Sequence, residues 1–471
     1  MMSRAWIIGV LLPCAVLCAP SSVRAQALEV AQAPSQGTQA PPEVVPAPSE
    51  LAQALADVSS QCPPPRVQPS SNLLLRTLAV QYSLLSKDVC KLLHWSDQAA
   101  NLENLVVHLF TGPGLHPTAG IIVPGSGAAG GAALNLEWNE KAPLYQRFTT
   151  NLEARGSENG FWAVGAKLQA LLAGFLEESK SSQLTFTTKH FDLPRLPFYG
   201  LGNGSARASR ALYGLTETEV SANLDAPLPL GFTLSGELDG LWFAPDPSTL
   251  FDTVYNETSA PGRHAQTTYI RPRLAAAWKY PRDETLYGFS TWASVAYAFY
   301  GTLGGGAHSF GRLDTRWNVR VGLDREQLFG AVQFASRLVL SDPNAGNRVP
   351  FYLQPTLGGA DIHDENLLRS YRNYRFRDSN LVAYEISYER KIVDPLGMRV
   401  FAELGKVGRE PSDLGFERMK SSIGVSATFR LGGATVFEIS FAWGGGEGVH
   451  VYATGNTNNI GSVSAGLRGV F

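Results

Sequence analysis

From residue 115 to residue 471, apolar and polar positions alternate with period two. Leu313, Thr315, Trp317, Val319, Val321 and Leu323 alternate with Asp314, Arg316, Asn318, Arg320 and Asp324. Phe232, Leu234, Leu238 and Trp242 alternate with Thr233, Ser235, Glu237 and Asp239, and Phe437, Ile439, Phe441 and Trp443 with Glu438, Ser440 and Ala442. The run after residue 380 does the same, with Val382, Tyr384, Ile386 and Tyr388 on one face and Ala383, Glu385, Ser387 and Glu389 on the other. Such spacing predicts strands with one face against an apolar medium and one against a polar medium. Charges keep to one face only. Gly, Pro, Asp and Asn separate 16 candidate strands, beginning near residues 118, 129, 143, 159, 180, 209, 229, 266, 285, 308, 327, 379, 397, 418, 435 and 461. That is roughly 22 residues per strand with its connection, which suits a 9–11-residue membrane strand plus a turn or loop. The expectation is an all-β, 16-stranded antiparallel transmembrane β-barrel over residues 115–471, apolar outside and polar inside. Trp317, Val319 and Val321 should face lipid, and Arg316, Asn318 and Arg320 the lumen.

The segment before the barrel has a different texture. Residues 1–25 read as a secretory signal, with Arg4 as the positive start, an apolar run from Trp6 to Ala19 and Val23-Arg24-Ala25 at the cleavage site. Cys14 and Cys18 fall inside it, and neither follows the small residue of a lipoprotein signal. Cys62 and Cys90 remain, a pair able to form one disulfide in an oxidising compartment. Residues 26–71 are rich in Pro, Ala, Gln and Ser and cannot bury a core, so they read as a disordered tether. Residues 72–112 predict two short amphipathic helices, one on Leu74, Leu75, Leu78, Leu85 and Val89 and one on Leu102, Leu105, Val106 and Leu109. Two roles are open to this periplasmic segment: a small plug or cap, or a helix that docks on the barrel rim or recruits clients.

Composition narrows the function classes. Lys plus Arg is 39 and Asp plus Glu 41, a balance that gives no reason to expect a nucleic-acid partner. Mean hydropathy is −0.06, a value that an alternating barrel shares with soluble proteins because the average hides the lipid-facing half. Gly125, Gly127 and Gly130 match the spacing of a dinucleotide fingerprint, but they sit between two strand-like segments with no following helix. The eight histidines are scattered and no Cys-x₂-Cys pair exists, so no metal site, no cofactor and no enzymatic activity are expected. Acidic positions such as Glu237, Asp239 and Glu385 read as channel lining rather than as catalytic carboxylates. Phe198-Tyr199-Gly200-Leu201-Gly202-Asn203-Gly204 is a loop built for positive-φ turns.

One connection stands apart. Arg369, Arg372, Arg375 and Arg377 fall within nine residues, interleaved with Tyr371, Tyr374 and Phe376, between the eleventh and twelfth candidate strands. A loop folded back into an acid-bearing lumen would use these groups; a solvated hairpin would not. Leu368-Arg369-Ser370-Tyr371 resembles the aliphatic-Arg-Gly-aromatic motif in the sixth extracellular loop of the BamA/TamA superfamily of outer-membrane barrels, the bacterial surface antigen family. Phe401-Ala402-Glu403-Leu404-Gly405 resembles that family's Phe-x-Asp-x-Gly signature on the next strand but one. Ser370 stands where the motif has Gly, and Glu403 where it has Asp. The resemblance covers residues 115–471 and implies that Arg369 folds inward to pair with Glu403, with Tyr371 beside them against the inner wall. The neighbouring arginines are then expected to meet Glu385 and Glu438.

By the same resemblance the chain is a monomeric outer-membrane barrel that inserts other barrels or moves polypeptides, with client outer-membrane or secreted polypeptides as partners. Relatives carry βααββ (POTRA) domains where residues 72–112 stand, a stretch too short for one. A weak seam is expected between the short first strand, Thr118 to Val123 before Pro124, and a last strand carrying Gly461, Gly466, Gly469 and the terminal Phe471. The alternatives are a passive pore or small-solute channel that keeps the family barrel, and a surface antigen acting through its long loops.

Overall fold

The computed structural model describes residues 114–138, 145–172, 181–281, 288–304, 308–323, 330–343, 347–359, 367–393, 396–431 and 434–455. The signal, the tether, the amphipathic segment with Cys62 and Cys90, and the terminal strand with Gly461, Gly466, Gly469 and Phe471 lie outside these residues.

Eighteen strands follow in chain order: β1 (Gly114–Gly120), β2 (Ala129–Trp138), β3 (Tyr145–Ser157), β4 (Trp162–Leu172), β5 (Ser182–Phe198), β6 (Ala211–Pro227), β7 (Phe232–Pro247), β8 (Thr267–Tyr280), β9 (Phe289–Thr302), β10 (Phe310–Gly322), β11 (Ala331–Pro343), β12 (Thr356–Leu357), β13 (Phe376–Arg377), β14 (Asn380–Val393), β15 (Leu396–Gly408), β16 (Lys420–Leu431), β17 (Ala434–Trp443) and β18 (Val449–Gly455). All but β12 and β13 form one 16-stranded antiparallel sheet in which each strand pairs with its sequence neighbour and β11 passes directly to β14. No helix among the described residues is long and apolar enough to cross a membrane.

One strand assignment from the sequence needs correction. The first described strand is Gly114–Gly120, and Ile121 to Pro124 belong to the turn that follows it. Ile122 and Val123 are apolar because they are buried in a packed turn, which a period-two pattern does not distinguish from a strand. The sheet also contains Val449–Gly455, which was not among the candidates, and the candidate near 461 lies outside the described residues.

The burial pattern is inverted relative to a soluble protein. On β7, Phe232, Leu234, Leu238 and Trp242 are 45%, 47%, 56% and 45% exposed, while Asp239 on the opposite face is 1% exposed. Trp317 and Val321 of β10 and Ile386 of β14 are likewise exposed, whereas Glu217, Glu219, Glu385 and Glu403 are buried. The polar face is therefore the inner one, and its charges are paired there (Arg271 bonds Asp239 at 2.5 Å and Glu237 at 2.9 Å).

The sheet is rolled on itself. Tyr374, in the connection from β11 to β14, donates to Pro124 O just past β1 (3.1 Å). Three residues earlier, Tyr371 O accepts the hydroxyl of Tyr452 on β18. One short loop segment thus touches both ends of the 16-stranded sheet. No pairing joins β1 to β18 among the described residues.

At the end where this connection lies, the loops close over the interior. Ile122, Val123, Phe161, Phe198, Tyr213, Phe251, Tyr255, Phe351, Tyr352 and Tyr374 belong to one buried apolar cluster. Phe251 comes from a short helix, Thr249–Val254, capped by Ser248, whose hydroxyl accepts from Phe251 N. Edge-to-face contacts of Phe351 with Phe198 (5.1 Å) and Tyr213 (4.7 Å) tie the β11–β14 connection into this cap.

Candidate functional site

The connection from β11 to β14 contains a small hairpin of its own. Thr356 and Leu357 pair with Arg377 and Phe376, and the chain between them forms a tip that dips against β14–β17. The tip is held by its own backbone: Gly358 N donates to Leu367 O (3.0 Å), Gly359 N to Leu368 O (3.2 Å) and Tyr374 N to Gly358 O (3.0 Å). The left-handed residue of the Arg-bearing motif is Leu368, at φ 56°, and Ser370 is not among the positive-φ positions. Serine in place of the motif's glycine is thus free of strain; its backbone N–H donates to Ser422 Oγ (3.0 Å), as a glycine's could, and its hydroxyl adds a bond to Ser421 O (3.4 Å). Leu368 packs with Val339, Leu357, Tyr371, Phe376, Leu381, Ala383 and Val407 in a second, smaller apolar cluster.

Arg369 is 6% exposed and sits among three carboxylates. Its backbone N–H donates to Glu403 Oε2 (2.7 Å), and its guanidinium lies 3.0 Å from Glu385, 3.4 Å from Glu403 and 3.9 Å from Glu438. Period two explains the convergence: residues 399, 401, 403 and 405 of β15 share the inner face, and the pairing sets Glu385 of β14 directly across from Glu403. Two carboxylates in register, 1% and 7% exposed, would repel without a cation between them. Arg369 is that cation from the loop, and Arg399 is a second from the wall, bonded to Glu385 and 3.7 Å from Glu438.

Phe401 and Gly405 shape the floor. The Arg369 guanidinium lies 4.2 Å from the Phe401 ring centroid, a close cation–π distance. On its other side that ring occupies the space a Cβ would need at Gly424 of β16. A Cβ at Gly405 would come within 3.0 Å of Leu357 and 3.4 Å of Leu368, so glycine there leaves room for the loop tip. Tyr371 is buried edge-on to Phe376 (5.0 Å) and covers Gly445, where any side chain would collide with the ring.

The remaining arginines do not meet the acids expected of them. Arg375 bonds Glu447 in the β17–β18 turn (2.6 Å), donates to the hydroxyl and carbonyl of Ser205 (2.9 and 2.8 Å), and lies between the rings of Phe376 and Tyr199. Arg372 N donates to Glu447 (3.4 Å). Arg377 enters the aromatic cap, donating to Tyr213 Oη (3.1 Å) and Phe351 O (2.7 Å). Glu385 and Glu438 are instead paired with Arg369 from the loop and Arg399 from β15. The Gly200–Gly204 run also joins the site: Gly202, at φ 86°, donates its N–H to Arg377 O (2.8 Å). Beside it, burial raises the Asp378 carboxyl to about 6.

A second ionic cluster lies on β6–β8, where Glu219, Glu237 and Asp239 come together. Arg271 stands among them, with Arg273 also bonded to Glu237 (2.8 Å). Glu237, Asp239 and Glu385, read from the sequence as channel lining, lie on the inner face, and each carboxylate is engaged by arginine.

No family model matches the chain, and no curated protein matches it. Among solved structures, BamA from Haemophilus ducreyi lacking POTRA domains 1–3 is similar over 79% of this chain and 78% of that one, at 11% identity and a TM-score of 0.48. CdiB from Acinetobacter baumannii is similar over 72% of this chain at 10% identity and a TM-score of 0.41, and the chain spans 58% of its length. Likenesses this distant carry no argument about the chain; its fold rests on the strand pairing and burial above.

Several site residues escaped the sequence reading. Arg399 was legible, being in phase with Phe401 and Glu403. Glu447, Gly445 and Tyr452 were not, since only the rolled sheet brings β17 and β18 against the loop.

Proposed function

We propose that this chain is a bacterial outer-membrane β-barrel that keeps its lumen shut with an inward-docked loop and handles polypeptide at the seam between its end strands. The observation that carries the membrane reading is the inverted burial. Exposed aromatic residues gather at both ends of the outward face: Trp138, Phe232, Tyr280 and Phe289 at the short-turn end, Trp162, Trp242, Phe299 and Trp443 at the loop end. Phe232 and Trp242 are ten residues apart on β7, roughly 33 Å along the strand. At the tilt usual in barrels this gives a band of about 25 Å, the height of an outer-membrane apolar belt.

The aromatic cap, together with the loop that Arg369 docks on the β14–β17 wall, favours a closed lumen over the passive-pore alternative. Support for the seam comes from the pairing: among the described residues β1 bonds only to β2 and β18 only to β17, so the sheet has two end strands there. An end strand of a sheet is the kind of template that takes up an extended segment by β-augmentation.

Three measurements test this. Unboiled and boiled samples should migrate differently on a gel, and the protein should fractionate with the outer membrane; equal mobility in a soluble fraction overturns the architecture. In a planar bilayer a small, flickering conductance is expected, and a steady, large, ion-selective one supports the pore. Depleting the protein in its native host should lower the level of other outer-membrane or secreted proteins, and unchanged levels overturn the client-handling role.

A further inference from the structure

The connection from β15 to β16 carries an aromatic side chain that the interior does not use. Phe416 is 77% exposed, although the loop around it is well ordered by its own bonds. Pro411–Leu414 form a 3₁₀ turn closed by a reciprocal cap between Glu410 and Asp413. Lys406 of β15 then reaches up and donates its ammonium to Gly415 O (3.2 Å) and Glu417 O (2.9 Å), fixing the backbone on either side of Phe416. Asn203 holds Arg418 O from the lumen side (2.9 Å), so the connection straddles the rim.

Phe416 hangs on the outer side. Its ring stacks on Tyr384 (6.0 Å, 13° between planes), and Tyr384 shares the outward row of β14 with Ile386. Tyr384 pairs with Leu404 and Val382 with Lys406, whose row on β15 runs down through exposed Leu404, Val400 and Met398. Phe416 is therefore continuous with the apolar belt and lies at its loop-end edge, next to an outward ammonium that makes no ion pair with a carboxylate among the described residues. An isolated exposed phenylalanine is ordinary on a soluble surface. One that is pinned, stacked and continuous with a lipid-facing strip has a different role.

We infer that the β15–β16 connection is a membrane-interface anchor, with Phe416 seated among the outer-leaflet acyl chains and Lys406 facing the phosphates of that leaflet's headgroups. The partner is a lipid surface, and the inference rests on the membrane reading above. Aromatic rings stacked beside a basic side chain suit this boundary, where one end of the site is apolar and the other wet. The anchor would hold the rim over β14 and β15, the strands that carry Glu385 and Glu403, against the bilayer.

The test uses the full chain refolded in liposomes, with Cys14, Cys18, Cys62 and Cys90 replaced by Ser and a nitroxide attached to Cys at Phe416, Ile386 or Ser412. Collision with oxygen should be high and with a water-soluble nickel chelate low at Phe416 and at Ile386, with Ser412 showing the reverse. If Phe416 matches Ser412 while Ile386 stays lipid-like, the anchor is wrong and the barrel stands. If Ile386 also behaves as water-exposed, the membrane reading itself fails. Adding an anionic phospholipid to zwitterionic vesicles should restrict the Phe416 label further, and Lys406→Gln should abolish that increment. An increment unchanged in the Gln variant overturns the headgroup contact.

Discussion

Removing the Arg369 guanidinium is the sharpest perturbation of the loop. Three carboxylates share two guanidinium groups in this cluster, Arg369 and Arg399. Among the described residues, Arg369→Ala leaves Glu385, Glu403 and Glu438 with Arg399, whose ion pairs there are to Glu385 and Glu438. Glu403, 1% exposed, then keeps a backbone N–H but no cation. Breaking a buried pair from one side typically costs about 3–5 kcal/mol, well above the ~0–1 kcal/mol of an exposed bridge. The native loop bonds of Ser370 and Tyr371 do not offset that, so the tip should leave the wall. Hydrogen exchange at residues 367–377 should rise steeply, with a smaller drop in the temperature at which the folded gel form is lost. Arg369→Lys should recover only part, since a single ammonium nitrogen lacks the planar fork whose separate nitrogens face Glu385 and Glu403. A double-mutant cycle of Arg369→Ala with Glu403→Gln, and another with Glu385→Gln, should each give a coupling above ~1 kcal/mol. Couplings near zero in both cycles, or unchanged exchange in Arg369→Ala, refute the lock.

Gly445→Val should undock the tip without touching a charge, because the new side chain and Tyr371 cannot share one space and the backbone there has φ 61°; protection at residues 367–377 should fall to the level seen in Arg369→Ala. Asp378 gives a pH test: its carboxyl is raised to about 6, so its contribution to loop docking is full below the unfolded value near 4 and is lost as pH rises through 6. The loss is at most about 3 kcal/mol, and Asp378→Asn should flatten the profile; a profile that keeps its slope removes Asp378 from the account. Val319→Arg on the outward face of β10 should destabilise by ~2–4 kcal/mol if the position lies near the midplane. Membrane-impermeant labelling of Cys at Val319 as readily as at Asn318 overturns that register.

On the proposed membrane reading, strand spacing was legible because both media are strict. An outward position then suits an apolar medium and an inward one a filled polar interior, and fifteen of the sixteen candidate strands begin within a few residues of the observed ones. The miss in the first strand falls where one medium stops acting, since Ile122 and Val123 face a packed cap. Val449–Gly455 was not among the candidates, and the candidate near 461 lies outside the described residues. Within the site, the pairing of Arg369 with Glu403 was readable from two motifs, yet Glu385 takes the shorter guanidinium bond. That preference depends on β14 and β15 lying in register, which no local pattern encodes. The partners of Arg375 were invisible for a stronger reason: Glu447 and Ser205 lie 72 and 170 residues away and meet only because the sheet rolls up.

That rolling also bears on how a shut barrel opens. Between Leu368 and Phe376 the loop holds the β14–β17 wall through Arg369, the β17–β18 turn through Arg375, β18 itself through Tyr371 O, and the turn after β1 through Tyr374. Tyr371 and Tyr374 are a single turn of the tip apart, so the two ends of the sheet are held by the same few residues. A loop that leaves its acids must release Tyr452 and Pro124 in the same movement, unless the tip breaks between Arg369 and Tyr374. The bonds Gly359 N to Leu368 O and Tyr371 N to Leu368 O oppose such a break. On the proposed reading, undocking the lock and loosening the seam are therefore one event, and the charge cluster sets how rarely it happens.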